Sequence, residues 1–161
     1  MNGQFRRART GAAVLAVLLL PACSPSASSP DASVGASDGG GGSTVEVTLQ
    51  EWAVVPAETS APAGEVTFAV TNDGPDDIHE FVIIRTDLDP GDLPVDETGA
   101  VDESGEGMEV IDEIEDIPVG ETQEVTVELE PGSYVLVCNI YSADEDEAHY
   151  AEGMRIAFDV E

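Results

Sequence analysis

Four segments of this sequence repeat their apolar side chains with a period of two, and no segment carries a convincing stripe at the helical period. Val45, Val47 and Leu49 alternate with Thr44, Glu46 and Thr48, and Val66-Thr-Phe-Ala-Val70 repeats the pattern. Val125, Val127 and Leu129 alternate with Thr126, Glu128 and Glu130, and Ile156, Phe158 and Val160 close the chain in the same way. A period of two puts every second side chain on one face, so each segment reads as a half-buried strand. Phe81 to Ile84 is a continuous apolar run, which suits a central strand. Turn signals stand between the runs: Asn72-Asp-Gly-Pro75, and Pro131-Gly132 leading into Ser133 to Cys138. Short alternating strands separated by turns predict an all-β fold, an antiparallel Greek-key β-sandwich.

Thr86 to Val119 breaks the pattern, being rich in Asp, Glu, Gly and Pro. Val110-Ile111, Ile114 and Ile117 hint at one helical turn or a short strand near its end. The expectation is a surface excursion pinned by those apolar residues. Met108, within it, receives no role, and Trp52 is expected in the core.

The first 43 residues do not read as part of the sandwich. Arg6, Arg7 and Arg9 precede an apolar stretch from Gly11 to Leu20, too short to span a bilayer. Leu20-Pro-Ala-Cys23 follows and resembles the lipobox of bacterial lipoproteins, in which the cysteine is lipidated and becomes the mature N-terminus. Residues 1–22 are therefore expected to be a lipoprotein signal peptide and Cys23 a lipidation site. That places the protein outside the cytoplasm, anchored by lipid to the outer face of the cytoplasmic membrane. Residues 23–43, a run of Ser, Ala, Pro, Asp and Gly, lack the apolar content to fold and read as a tether. Residues 44–161 form the single domain, which is expected to be monomeric.

Charge excludes one class of partner. The chain holds 34 acidic residues, five arginines and no lysine. Removal of the leader leaves two arginines against the 34 carboxylates, a formal charge of −32. Nucleic acid is excluded by repulsion. Such a surface can steer a basic partner or reflect adaptation to high salt, where self-repulsion is screened. The even spread of acid and the absence of lysine favour the second explanation.

Two histidines, His79 and His149, are the only ones in the chain. Cys138 is the only cysteine within residues 44–161, and Met154 one of two methionines beyond the first residue. With Cys23 lipidated, Cys138 has no disulfide partner, and a lone thiol in an oxidising compartment calls for something to hold it. A thiolate, two imidazoles and a thioether are the donor types of a trigonal copper site with a long axial methionine.

Around these donors the chain resembles the cupredoxins, the family of plastocyanin, azurin and sulfocyanin. Asn72 and Gly74 stand ahead of His79-Glu80-Phe81-Val82, and Pro131-Gly132-Ser133-Tyr134 stands ahead of Cys138. Cys138-Asn139-Ile140, His149-Tyr150 and Gly153-Met154 match the family's final ligand loop. The resemblance implies one type 1 copper held by His79, Cys138 and His149, with Met154 axial. It also implies that the second histidine lies near the surface as an electron route. One departure stands out: ten residues separate Cys138 from His149, where the family has about two to four. The insertion, Tyr141 to Ala148, is polar and is expected to bulge outward, holding His149 less rigidly.

The expected function is electron transfer to a redox partner protein, a basic one given Asp144 to Glu147 beside His149. Two other readings stand beside it: a module that delivers or stores copper, and a metal-free interaction domain. No hydrolytic constellation is recognisable, and no enzymatic activity is expected.

Overall fold

The computed structural model describes residues 42–161; the leader, Cys23 and the tether up to residue 41 lie outside the described residues. In chain order the elements are β1 (Ser43–Gln50), β2 (Ala53–Pro56), β3 (Ser60–Ala61), β4 (Gly64–Asn72) and β5 (His79–Thr86). They continue with β6 (Met108–Ile117), β7 (Thr122–Leu129), β8 (Gly132–Val137), β9 (Tyr141–Ser142) and β10 (Glu147–Ala148), then α1 (His149–Glu152) and β11 (Arg155–Val160). One sheet runs β2-β1-β4-β7 and the other β3-β11-β8-β5-β6. The four alternating segments are β1, β4, β7 and β11, and their apolar positions face the space between the sheets.

The sandwich is present, with two of its pairings parallel: β1 beside β4, and β3 beside β11. The chain between β1 and β4 explains both. It folds back as β2 against the edge of β1, then crosses to the other sheet as β3 before returning as β4. That excursion supplies the crossover a parallel pair requires.

Phe68 from one sheet meets Phe81 and Phe158 from the other, with ring centroids 5.4 and 5.5 Å apart. Tilted and edge-on contacts of this kind suit aromatic quadrupoles. Leu49, Ile83, Leu129 and Leu136 fill the space around them, and Cys138 and Met154 belong to the same buried cluster. The prospective ligands thus stand at one end of the core.

The stretch from Thr86 to Val119 corrects the sequence reading. Its second half is a ten-residue strand, β6, paired with β5 along its whole length. The register slips between His79 and Phe81 and again between Ile83 and Ile84, where extra residues bulge from β6. Each bulge breaks the two-residue alternation, which is why Ile111, Ile114 and Ile117 are spaced like a helix in the sequence. Residues 87–107 then fold over the outer face of the second sheet. Leu93, Val101 and Tyr150 cover Val82, Ile84, Val135 and Val137 in a second, smaller core. The unbroken apolar run in β5 is explained by burial on both faces.

Among the described residues, no helix is long and apolar enough to cross a membrane.

Candidate metal centre

Three turns of chain converge at the end of the core. His79 is the first residue of β5, Cys138 follows β8 directly, and His149 opens α1. Their potential ligand atoms all lie within 4.8 Å of one another, and all three residues are buried. Cys138 Sγ is 3.3 Å from His149 Nδ1 and 3.8 Å from His79 Nδ1, and the two Nδ1 atoms are 3.2 Å apart. Both imidazoles therefore turn the same nitrogen toward the thiol.

His79 is placed by Asn72, whose buried side chain ties the turn before β5 to the end of β6. Its Nδ2 donates to the carbonyls of Asp77 and Ile117, at 2.9 and 2.8 Å, and its Oδ1 accepts the Gly74 N–H at 2.8 Å. The Asn-x-Gly signal is thus a latch that holds the turn before β5 against the end of β6. Gly74 has φ +64, and a Cβ there would meet Val119 at 2.7 Å, so the turn requires glycine.

The insertion between Cys138 and His149 does not leave the histidine loose. It folds as its own hairpin, β9 against β10, with Tyr141 opposite Ala148 and Ser142 opposite Glu147. Asp146 takes a left-handed conformation in the connecting turn, and its carboxylate accepts the Tyr141 hydroxyl at 2.7 Å. The His149 N–H donates to the Ile140 carbonyl at 2.9 Å and closes the base of the hairpin. The insertion is polar because it is exposed, as expected, but backbone pairing replaces the looseness expected of it.

Met154 is fully buried. Its N–H donates to the His149 carbonyl and its carbonyl accepts the Cys138 N–H, each at 3.0 Å, so its backbone bridges two of the prospective ligands. Asn139 links the site to the outer loop, its Oδ1 accepting the Val101 N–H at 2.6 Å and its Nδ2 donating to the Val101 carbonyl.

The electrostatics follow from burial. Burial pushes the Cys138 thiol up to about 12, against the pull of the Glu80 and Ile140 N–H groups. The Glu80 N–H lies 3.3 Å from Sγ, a donor aimed at the sulfur. Both imidazoles are held below their ordinary value, His79 by burial and then by His149, and His149 by burial. At neutral pH the site offers two uncharged imidazoles and a protonated thiol.

Three neighbours carry no strong sequence signal of their own. Glu51, directly after β1, lies 3.8 Å from His79 Nε2. Trp52 is partly buried rather than wholly within the core, and stands edge-on to the His149 ring at 4.9 Å between centroids. Glu80 groups with Glu103 and Glu113, and burial, followed by the charge on those and neighbouring carboxylates, pushes it up to about 7. The His149 side chain is 1% exposed and packs against Trp52, so it lies beneath the surface rather than on it.

No protein-family model matches this sequence, and no curated protein is similar to it. Solved structures do share its architecture. Auracyanin from the photosynthetic bacterium Roseiflexus castenholzii, in a dithionite-reduced form, superposes with a TM-score of 0.52 at 22% identity, over 75% of this chain and 99% of that one. Auracyanin A, a "blue" copper protein from the green thermophilic photosynthetic bacterium Chloroflexus aurantiacus, gives 0.51 at 21% identity, over 75% and 100%. An azurin from the methylotroph Methylomonas sp. strain J gives 0.50 at 19% identity, over 74% and 98%. These similarities establish the fold of residues 42–161 as the cupredoxin β-sandwich.

Proposed function

We propose that this domain is a mononuclear type 1 copper protein that carries single electrons; His79, Cys138 and His149 would hold the copper, and Met154 would offer a weaker thioether. The observation that carries the proposal is the convergence of one sulfur and two Nδ1 atoms, all buried, within 4.8 Å. The donor chemistry fits: two neutral imidazoles and a thiol suit copper in either oxidation state. Bound copper supplies a one-electron couple between Cu(II) and Cu(I). The chain contributes the rest. The Asn72 latch and the β9–β10 hairpin hold the backbone at both histidines. The sandwich core behind Cys138 and Met154 keeps water from the sulfur. Cys138 gives up its proton on binding, and the Glu80 N–H is placed to stabilise the resulting thiolate.

Electron transfer is favoured over copper delivery by the closed ligand loop and the burial of every donor, which support retention. In this reading the protein works outside the cytoplasm as a monomer, tethered through a lipid on Cys23, and meets a basic redox partner. The support for anchoring is the basic and apolar leader ending at Cys23, and for the partner the acidic surface.

Adding Cu(II) to purified residues 42–161 and recording the visible spectrum tests the assignment. An intense thiolate-to-copper band, lost in Cys138→Ser, is expected, together with fast electron self-exchange and slow loss of Cu(I) to a chelator. A band that survives in the serine variant overturns the ligand assignment. Slow exchange with rapid loss of Cu(I) overturns the electron-carrier reading in favour of delivery, and absence of binding favours a metal-free domain.

A further inference from the structure

We propose that Glu51 is a positioning residue for His79: its carboxylate accepts the Nε2–H and so fixes the tautomer that leaves the Nδ1 lone pair facing Cys138 and His149. The inference rests on the copper reading for its purpose, but its geometry does not depend on a metal.

Glu51 is anchored where it can act on the histidine. Its Oε1 accepts the N–H groups of Asp76 and Asp77, at 3.1 and 2.9 Å, in the turn that leads into His79. One carboxylate thereby joins the end of β1 to the approach to β5. The same Oε1 lies 3.8 Å from His79 Nε2. His79 Nε2 and Glu51 Oε2 are both buried without a hydrogen-bond partner. The carboxylate thus stands 3.8 Å from an unsatisfied ring N–H through an oxygen that already accepts two backbone N–H groups, and it carries a second oxygen with no partner of its own. Leaving either unpaired costs about 1–3 kcal/mol, so the pair has a strong incentive to close.

The charge on Glu51 selects the tautomer. Its Oε1 accepts two backbone N–H groups, an arrangement that favours the carboxylate over the acid. An anion beside Nε2 favours a proton there. The other tautomer would point a proton from Nδ1 at His149 Nδ1, 3.2 Å away, and would block the ligand atom. A carboxylate behind a ligating imidazole also raises its basicity, and losing such a partner typically lowers metal affinity about 10–100-fold.

A purely structural Glu51 would only satisfy the two backbone N–H groups. Glu51→Gln separates the roles, because its amide oxygen still accepts those N–H groups while the negative charge is gone. Nitrogen-15 spectra of the metal-free wild-type domain should show His79 in the Nε2–H form. In Glu51→Gln that preference should weaken, and Cu(II) affinity should fall about 10–100-fold, with Cu(I) affinity falling less and the thermal midpoint close to wild type. A wild-type His79 protonated at Nδ1 overturns the proposal without any variant having to fold. A Glu51→Gln variant with unchanged tautomer and unchanged affinities also overturns it. Failure of the copper reading would appear separately, as a missing thiolate-to-copper band in wild type with the tautomer preference intact.

Discussion

Cys138 Sγ and His149 Nδ1 lie 3.3 Å apart although ten residues separate the two in the chain. The hairpin makes this possible, because the Ile140 carbonyl and the His149 N–H, joined at 2.9 Å, bring the two ends of the insertion together wherever its tip extends.

The tip is therefore dispensable and the base is not. Replacing Ala143 to Asp146 with Asn-Gly, a pair suited to a two-residue hairpin turn, should leave the copper spectrum unchanged and the thermal midpoint within a few degrees. Deleting Tyr141 to Ala148 makes Ile140 and His149 adjacent and removes that hydrogen bond, so the band should shift and the thermal midpoint fall. A shifted spectrum in the Asn-Gly variant would show that residues of the tip themselves hold His149.

Much of the fold was legible because β1, β4, β7 and β11 each expose one face and so keep a clean period of two. The convergence of His79, Cys138 and His149 was legible because the chain has two histidines and one cysteine within residues 44–161. What escaped had physical reasons. β6 carries bulges that disguise it. β2, β3, β9 and β10 are too short to show a period, and their existence depends on the neighbours they pair with. Burial of His149 depends on Trp52, which is distant in sequence, and the approach of Glu51 to His79 depends on where β1 ends relative to β5. No local pattern encodes such contacts.

Metal affinity should depend on pH with the signature of one proton. The Cys138 thiol keeps its proton up to about 12 in the absence of metal, while both imidazoles are held neutral below their ordinary range. Between about pH 7 and 9, binding then displaces the thiol proton alone, and the apparent Cu(I) affinity should rise about tenfold per pH unit. Competition with a chelator of known pH dependence measures the slope. A flat profile would mean that the thiolate is already formed in the free protein.

Asn72→Ala should destabilise the domain by about 2–4 kcal/mol, because it strands the buried Ile117 carbonyl and Gly74 N–H and the partly buried Asp77 carbonyl. The midpoint of urea unfolding tests this. Copper affinity should fall along with stability, since the turn positions His79. A loss under about 0.5 kcal/mol, the ordinary range of a surface substitution, would remove Asn72 from the role of latch.

Salt should stabilise the fold. Two arginines are set against the carboxylates of the domain, and only Arg85 with Glu130 makes an arginine–carboxylate ion pair among the described residues. Raising ionic strength from 0.1 to 1 M shortens the Debye length from about 10 to about 3 Å and screens the remaining repulsion. Thermal midpoints should climb across this range, and a flat or falling series would show that repulsion is a minor contribution.

Glu80 offers the sharpest test of that repulsion, because its backbone serves the site while its carboxyl is under strain from its neighbours. Burial, Glu103 and Glu113 push it up to about 7 from an ordinary 4.5. An acid raised in this way holds its proton more tightly in the folded state. The folded protein is thus favoured at low pH and loses that advantage as pH rises from about 4.5 through about 7. Glu80→Gln removes the ionisation and keeps the N–H that points at Cys138 Sγ. It should stabilise the domain by on the order of 1–2 kcal/mol at pH 8 and have little effect near pH 4, with the copper spectrum retained. A variant that is no more stable than wild type at pH 8 would show that Glu80 is relieved by solvent rather than by protonation.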